Sequence, residues 1–186
     1  VECLKDFDTS IRQRALELIY LLVNPDNVKT LAEELLNHLQ ELSHSGNSVK
    51  NELTGTDALR QNLTTKLCTL VEKHAPTHDI DSRKWKLQTF LKIITISGQY
   101  VREEVASIFI GLVTQSPELQ AEITQRLFVS LRKFLTKPHL VTKLDILVQV
   151  AVWCIGEFGD LIIGNEVVED DKKGGAELLE ADAPET

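Results

Sequence analysis

The sequence is poor in the residues that make turns and aromatic cores. Aromatic residues account for 5% of its 186 positions, and it contains nine glycines and five prolines. A β-sandwich or barrel needs a turn signal every few residues, so this scarcity argues against an all-β fold. Leucine, isoleucine and valine are abundant within the 42% of the chain that is hydrophobic. This composition predicts an all-α protein built from layers of packed helices.

Methionine is absent and cysteine is sparse. The chain opens at Val1 in what reads as a helix already under way, so we expect a segment truncated at its N-terminus. Cys3, Cys68 and Cys154 lie far apart among apolar neighbours. Three cysteines at such spacing make no disulfide framework, so we expect buried, reduced thiols.

Long apolar runs are missing as well. No stretch approaches 18 apolar residues without a polar interruption, and no signal-peptide pattern opens the chain. We therefore expect a cytoplasmic protein without a membrane span.

The residue patterns of catalysis and metal binding are also absent. His74 and His78 are four residues apart, but Pro76 lies between them, so they cannot share a helical face as metal ligands would. Cys154 has apolar neighbours and no histidine or acid placed to activate it, which predicts an unreactive thiol. We find no glycine-rich phosphate loop. The sequence predicts neither an enzyme nor a cofactor or metal site.

Negative charge is concentrated at one end. The net charge is −8, and residues 165–186 carry eight acidic side chains against two lysines. Residues 1–164 are nearly balanced, with 18 basic and 20 acidic side chains, so the dense basic face that nucleic acid requires is not expected. We predict a helical segment over residues 1–164 and an acidic, disordered tail or linker over 165–186.

The segment 3–24 contains two helix ends and the turn between them. The Asp8 carboxylate, or the hydroxyl of Thr9 or Ser10, can accept from the unpaired amides that open the second helix. Apolar residues then recur at helical spacing, at Ile11, Ala15, Leu18 and Leu22, with Leu16, Ile19 and Val23 beside them. More than half of the helix surface is apolar, so it must be covered on two sides, as in stacked helix pairs.

Similar amphipathic patterns continue along the chain. They predict helices over residues 28–42, 58–74, from 81 to a left-handed cap at Gly98, 100–115, 117–135 and 140–158. A surface loop is expected over 44–56, with Thr56 or Asp57 capping the helix after it. The complete set is about seven helices.

The opening pattern recurs at a fixed interval. Val101 and Arg102 stand where Ile11 and Arg12 stood, and the alanines Ala15, Ala106 and Ala151 are separated by 91 and 45 residues. One or two periods of about 45 residues are the spacing of HEAT or armadillo helix pairs. We therefore predict an α-solenoid.

The run Leu4–Leu18 resembles a HEAT-repeat turn. In such turns an acidic residue caps the second helix and an arginine in its first turns braces the neighbouring repeat. The resemblance implies this bracing role for four residues: Asp8, Arg12, Arg14 and Arg102.

Several motifs in order resemble the trunk of a large adaptin over residues 1–164. They are Asn24 with Asn27, Glu72–Pro76, Ser97–Glu104 and Val152–Leu161. The run Trp-Cys-Ile-Gly-Glu from residue 153 is most similar to the gamma subunit of the trans-Golgi and endosomal clathrin adaptor. The ending Gly-Glu-Phe-Gly is shared with the alpha subunit of the plasma-membrane complex, which is the alternative.

The same run has a packing interpretation. Trp153 supplies bulk to a helix-pair interface, together with Ile155, and Cys154 is buried. Gly156 permits close helix approach, and Gly159 ends the helix. We expect these residues to identify the family without forming a binding site.

The resemblance implies a scaffold that packs against other adaptor subunits, namely the beta-type large chain and the medium and small chains. It also implies peripheral attachment to trans-Golgi and endosomal membranes and to clathrin-coated vesicles, with clathrin engaged indirectly. A generic HEAT scaffold, such as a nuclear-transport receptor or a phosphatase regulatory subunit, is the alternative from a different class.

Two surface features could contact partners. Basic residues gather around the sixth predicted helix, at Arg126, Arg132, Lys133, Lys137 and Lys143, with a second cluster at Arg83, Lys84 and Lys86. Adaptin trunks use such patches toward anionic lipid or an Arf-type GTPase, although lysines beside a solenoid turn can also serve only solubility. In the tail, Leu178–Asp182 is similar to a clathrin-box pattern, from which Ala181 departs.

Overall fold

The computed structural model of the chain describes residues 2–45, 53–136 and 145–163. Within these ranges it contains seven α-helices and no strand, so the predicted all-α class is confirmed. The helices are α1 (Thr9–Leu22), α2 (Val28–Ser45), α3 (Leu53–His74), α4 (Ile80–Ser97), α5 (Glu103–Thr114), α6 (Pro117–Leu135) and α7 (Asp145–Phe158). Short 3-10 turns cover Glu2–Lys5, Gly98–Tyr100 and Gly159–Ile162.

Two aspartates cap helices through their side chains. Asp8 accepts from the Ser10 amide at 2.7 Å, as predicted for the start of α1. Asp79 accepts from the Ser82 amide at 3.1 Å and opens α4, a cap that the sequence pattern did not reveal. In both cases a carboxylate satisfies an amide that the first helical turn leaves unpaired.

Several predicted helix ends were wrong. Gly98 has φ −47° and ψ −39°, so it continues in a right-handed 3-10 turn instead of reversing the chain as a left-handed cap. Val101 is extended and α5 begins at Glu103. Helix α3 begins at Leu53, so Thr56 and Asp57 lie inside the helix and do not cap it.

Helices pack both on their sequence neighbours and on the helix two positions away. Helix α2 packs on α3, α3 on α4, and α6 on α7, while α1 lies beside α3, α2 beside α4, and α5 beside α7. Packing of each helix on helices close to it in the chain is the arrangement of an α-solenoid. None of the described helices is both long and apolar enough to cross a lipid bilayer.

One continuous apolar core runs through the stack, from Leu4 to Cys154. Its largest side chains are Phe90 of α4 and Phe109 of α5, both fully buried. The end helices are less well covered than the sequence pattern predicts. On α1 the stripe of Leu16, Ile19 and Val23 is buried, but a second stripe is exposed, formed by Ile11, Leu18, Leu21 and Leu22.

Replacement of a central aromatic side chain tests this core. Phe90→Ala removes a fully buried ring from the middle of the stack, and we expect a loss of about 3–5 kcal/mol in the free energy of unfolding. Phe7→Ala is the matched control, because Phe7 is completely exposed, and it should change stability by less than about 0.5 kcal/mol. Urea unfolding followed by circular dichroism measures both. Equal effects of the two variants would contradict the described core.

Candidate interaction surfaces

The four residues predicted to brace repeats make local contacts. Arg12 is half-buried and its Nη1 donates to the main-chain carbonyl of Asp6 at 3.1 Å, which fastens the turn to α1. Arg14 Nη1 lies 3.4 Å from Glu17 Oε2. Arg102 Nε lies 3.9 Å from the Glu104 carboxylate, two residues further along the chain. Asp8 caps its own helix. A bracing role for these residues between repeats stays a prediction.

Cations on α4 connect separate helices instead. Arg83 forms an ion pair with Glu118 of α6 at 2.5 Å, and Lys84 Nζ lies 2.7 Å from Glu122 Oε2 of α6. The arginine and both carboxylates are about two-thirds buried. The prediction of a second basic cluster on the surface, at Arg83, Lys84 and Lys86, was therefore wrong. Arg83 and Lys84 form ion pairs with acidic residues of another helix.

Lys86, the third member of that cluster, is buried. Its side chain is 6% exposed and its Nζ donates to the main-chain carbonyl of Glu72 at 2.9 Å. This carbonyl lies in the last turn of α3, where carbonyls lack helical partners and a positive charge is favourable. Burial lowers the pKa of Lys86 below its ordinary value, although the nearby Glu72 carboxylate acts in the opposite direction.

Two lysines lie over aromatic rings of neighbouring helices. Lys66 Nζ of α3 is 5.1 Å from the ring centre of Tyr20 of α1, and Lys29 Nζ of α2 is 5.8 Å from the ring centre of Trp85 of α4. Both distances suit cation–π attraction. Together with Arg83 and Lys84, these contacts place cations across three pairs of alternate helices: α1 with α3, α2 with α4, and α4 with α6.

The basic residues of α6 are only partly available. Arg126 Nε lies 3.3 Å from Glu122 Oε1, so this carboxylate serves both α4 and its own helix. Arg132 and Lys133 are exposed in the last turn. Lys137 and Lys143 lie outside the described residues.

The signature run on α7 is partly exposed. Trp153 is 38% exposed and packs edge-on against Phe158, with ring centres 5.7 Å apart. A Cβ added at Gly156 would meet no atom within 4 Å. The interpretation of Gly156 as a point of close helix approach is therefore wrong for the described residues, because no helix covers this face. At Gly159 the α-helix gives way to a 3-10 turn.

The thiols differ in their surroundings. Cys68 and Cys154 are buried, and desolvation raises their pKa values to about 12 and about 11, so both are protonated at neutral pH. Cys3 is exposed in the first 3-10 turn, so its expected burial was wrong. Among the described residues, no three metal-ligating side chains come together. Three features remain as candidates for contacts with partners. They are the basic end of α6, the exposed apolar faces of α1 and α7, and the cations between helices.

The pH dependence of stability tests the buried contact of Lys86 between α4 and α3. Lys86→Met keeps the buried stem and removes the ammonium. Since burial lowers the pKa, the unfolded chain binds more protons than the folded chain between the folded value and 10.5. The wild type should therefore gain stability relative to Lys86→Met as the pH rises through this window. Urea unfolding at neutral pH and at about pH 10 measures the difference.

The matched control is the exposed Lys92 on the same helix. Lys92→Met removes an ammonium that already lies in water, so the effect found only in Lys86→Met reports the burial of Lys86. At neutral pH, Lys86→Ala should cost about 1–3 kcal/mol, because it removes packed methylenes and leaves the Glu72 carbonyl without its donor. A stability difference between the wild type and Lys86→Met that does not change with pH would contradict the described burial.

Comparison with known proteins identifies the family. The model of the adaptin N-terminal region matches residues 1–173. The AP-1 complex subunit gamma of Dictyostelium discoideum is 37% identical over 166 residues, 89% of this chain. The AP-1 complex subunit gamma-2 of Arabidopsis thaliana is 39% identical over 165 residues, also 89% of the chain. The aligned region is 16% of each of these relatives.

An alpha-type relative is also similar, at a lower identity. The AP-2 complex subunit alpha-2 of Dictyostelium discoideum is 30% identical over 162 residues, which are 87% of this chain and 14% of that protein. The likeness is therefore to large subunits of both complexes and stronger to gamma. With a family model that covers nearly the whole chain and a described all-α solenoid, the chain belongs to the adaptin family, as a gamma-like segment of a large adaptin.

Proposed function

We propose that this chain is a scaffold segment of a gamma-type large subunit in a clathrin adaptor complex that carries proteins between the trans-Golgi network and endosomes. The observation that carries the proposal is the difference in identity between gamma and alpha relatives of one organism, 37% against 30% over nearly the same length. The alpha-type subunit of a plasma-membrane complex is the second candidate. Membership of the adaptin family argues against the nuclear-transport and phosphatase alternatives.

The packing of the chain supports a structural role. The described helices share one core, and cations connect alternate helices along most of its length. Such a stack resists bending and can hold partner chains at fixed positions. The beta-type large chain and the medium and small chains are the partners we propose, and clathrin would be reached indirectly.

The exposed apolar residues of α1 and α7 support packing at both ends of the stack. Val152 is 58% exposed on α7, and Leu21 is 79% exposed on α1. Apolar stripes of this kind normally lie under another element. We propose that further repeats of a longer chain or other adaptor subunits cover them. The division at residue 164 and the linker role of the acidic tail, including Leu178 and Leu179, belong to this proposal and lie outside the described residues.

A contact with anionic membrane or an Arf-type GTPase is proposed at the basic end of α6. Arg132 and Lys133 are exposed there, in the last turn of the helix. Lys137 and Lys143 follow in the chain and would add to the positive charge, while Arg126 shares Glu122 with α4. Peripheral attachment through such a patch would place the complex on trans-Golgi and endosomal membranes.

A chimaera tests the scaffold role. In Dictyostelium discoideum, the segment of the AP-1 gamma subunit that aligns with this chain is replaced by the chain itself. Because the fold and its ends are retained within a full-length subunit, the chimaera should co-purify with the other AP-1 subunits at the level of unmodified gamma. Affinity purification followed by quantitative mass spectrometry measures assembly.

The matched control is the same replacement in the AP-2 alpha-2 subunit of the same organism. We expect this second chimaera to assemble poorly, since the chain is less similar to the segment that it replaces. Efficient assembly of the alpha chimaera alone would assign the chain to the plasma-membrane complex. Failure of both chimaeras, at normal expression level, would contradict the proposed scaffold role.

Charge reversal tests the membrane contact. The double variant Arg132→Glu, Lys133→Glu should weaken binding to vesicles containing phosphatidylserine by at least about tenfold, since each basic side chain near such a surface contributes about 1 kcal/mol. The control Lys73→Glu, Lys92→Glu reverses the same amount of charge at two other exposed positions. Equal losses in the two variants would show that net charge, and not the end of α6, governs binding.

A further inference from the structure

A small cleft at the start of the fold collects charged side chains that the proposed function does not use. It has a volume of about 220 Å³ and opens between the first 3-10 turn and helices α1, α2 and α3. Apolar side chains, including Leu4 and Leu59, form part of its wall. Its polar lining comes from Lys5, Arg12, His38 and Glu41.

His38 is the unusual member of this lining. Its side chain is 5% exposed, and neither ring nitrogen has a hydrogen-bond partner among the described residues. The Glu41 carboxylate is 3.7 Å from Nδ1, which is too long for a hydrogen bond. Burial lowers the pKa of His38, so the ring is neutral at pH 7, with one N–H donor and one bare nitrogen. A buried imidazole without partners costs stability, and a ligand could supply them.

The charges around His38 favour an anion. Lys5, Arg12 and Glu41 are the charged groups that act on the ring, which gives two cations to one carboxylate. Lys5 Nζ lies 2.9 Å from Glu41 Oε2, and both side chains are more than half exposed at the mouth of the cleft. The ammonium has three N–H donors, so it can hold Glu41 and still donate to a ligand. The net charge of the lining is therefore positive.

We propose that this cleft binds a phosphate-sized oxyanion, either free phosphate or a phosphate monoester, with the His38 N–H, the Lys5 ammonium and the Arg12 guanidinium directed to its oxygens. Three donors match the several acceptor oxygens of a phosphate, and charged donors form the stronger hydrogen bonds. The cleft volume of about 220 Å³ holds several waters, so a phosphate has room to enter in their place. This inference is independent of the proposed adaptor role.

The test follows the His38 ring of the 186-residue chain by NMR while inorganic phosphate replaces chloride at constant ionic strength. We expect the ring resonances to shift and saturate, with binding at least tenfold weaker in Lys5→Met. Arg14→Met is the matched control, because Arg14 is an exposed cation on α1, close in the chain to Lys5, and lies outside the cleft lining. It should bind phosphate like the wild type. An unsaturable shift, or equal weakening in Lys5→Met and Arg14→Met, would overturn the proposal.

A second variant separates binding from folding. His38→Leu fills a similar volume without polar atoms, so its melting temperature without phosphate should equal or exceed that of the wild type. Phosphate should raise the melting temperature of the wild type and leave that of His38→Leu unchanged. An equal rise in both proteins would contradict the site.

Phosphoserine distinguishes the two sources of the ligand. Binding of phosphoserine at least tenfold tighter than that of inorganic phosphate would identify a monoester as the natural occupant. Comparable binding would identify free phosphate. Absence of a His38 response to both compounds would leave water as the occupant and overturn the proposal.

Discussion

The covering of each helix by helices on more than one side is the constraint on which this structure depends. In the middle of the stack, α4 buries apolar side chains around much of its surface, including Leu87, Phe90, Ile93 and Ile94. At the start, α1 has the same kind of apolar surface and buries only one stripe of it. Because no single repeat can bury its own helices, stability in a solenoid accumulates through neighbouring interfaces. The ends of the described stack are therefore its natural places for further contacts, whichever chains provide them.

Polar contacts fix how the helices are positioned relative to one another within this apolar packing. The apolar core alone allows helices to slide or rotate, since the hydrophobic effect is not directional. Lys66 over Tyr20, Lys29 over Trp85 and Arg83 beside Glu118 each connect defined points on alternate helices. Single exposed ion pairs contribute little to stability, but directed contacts at three points along the stack favour one register between the helices that they join. This arrangement suits a scaffold, whose task is to hold surfaces at fixed positions.

Local patterns predicted the helices well and the contacts between helices poorly. The periodicity of apolar residues and Asp8 as a cap are properties of short segments, and they agree with the structure. Residues of the helix-joining pairs are separated by 35 residues for Arg83 and Glu118 and by 46 for Tyr20 and Lys66, so no local pattern reveals them. The basic run of Arg83, Lys84 and Lys86 looked like a surface patch because sequence shows charge without showing the partner acids on α6. The orphaned ring of His38 was invisible for the same reason.

Two buried polar side chains, Lys86 and His38, differ in whether the fold provides them with a hydrogen-bond partner. Lys86 and His38 are almost equally hidden, at 6% and 5% exposure, and burial lowers the pKa of both. Lys86 finds its partner in the free carbonyl at the end of α3, so packing and hydrogen bonding account for it completely. For His38 the described residues offer no such partner, and a leucine would fill its place at no polar cost. A polar group that is costly to bury and that the fold itself does not satisfy is best explained by a ligand from outside, and the two cations beside it define the charge which that ligand must carry.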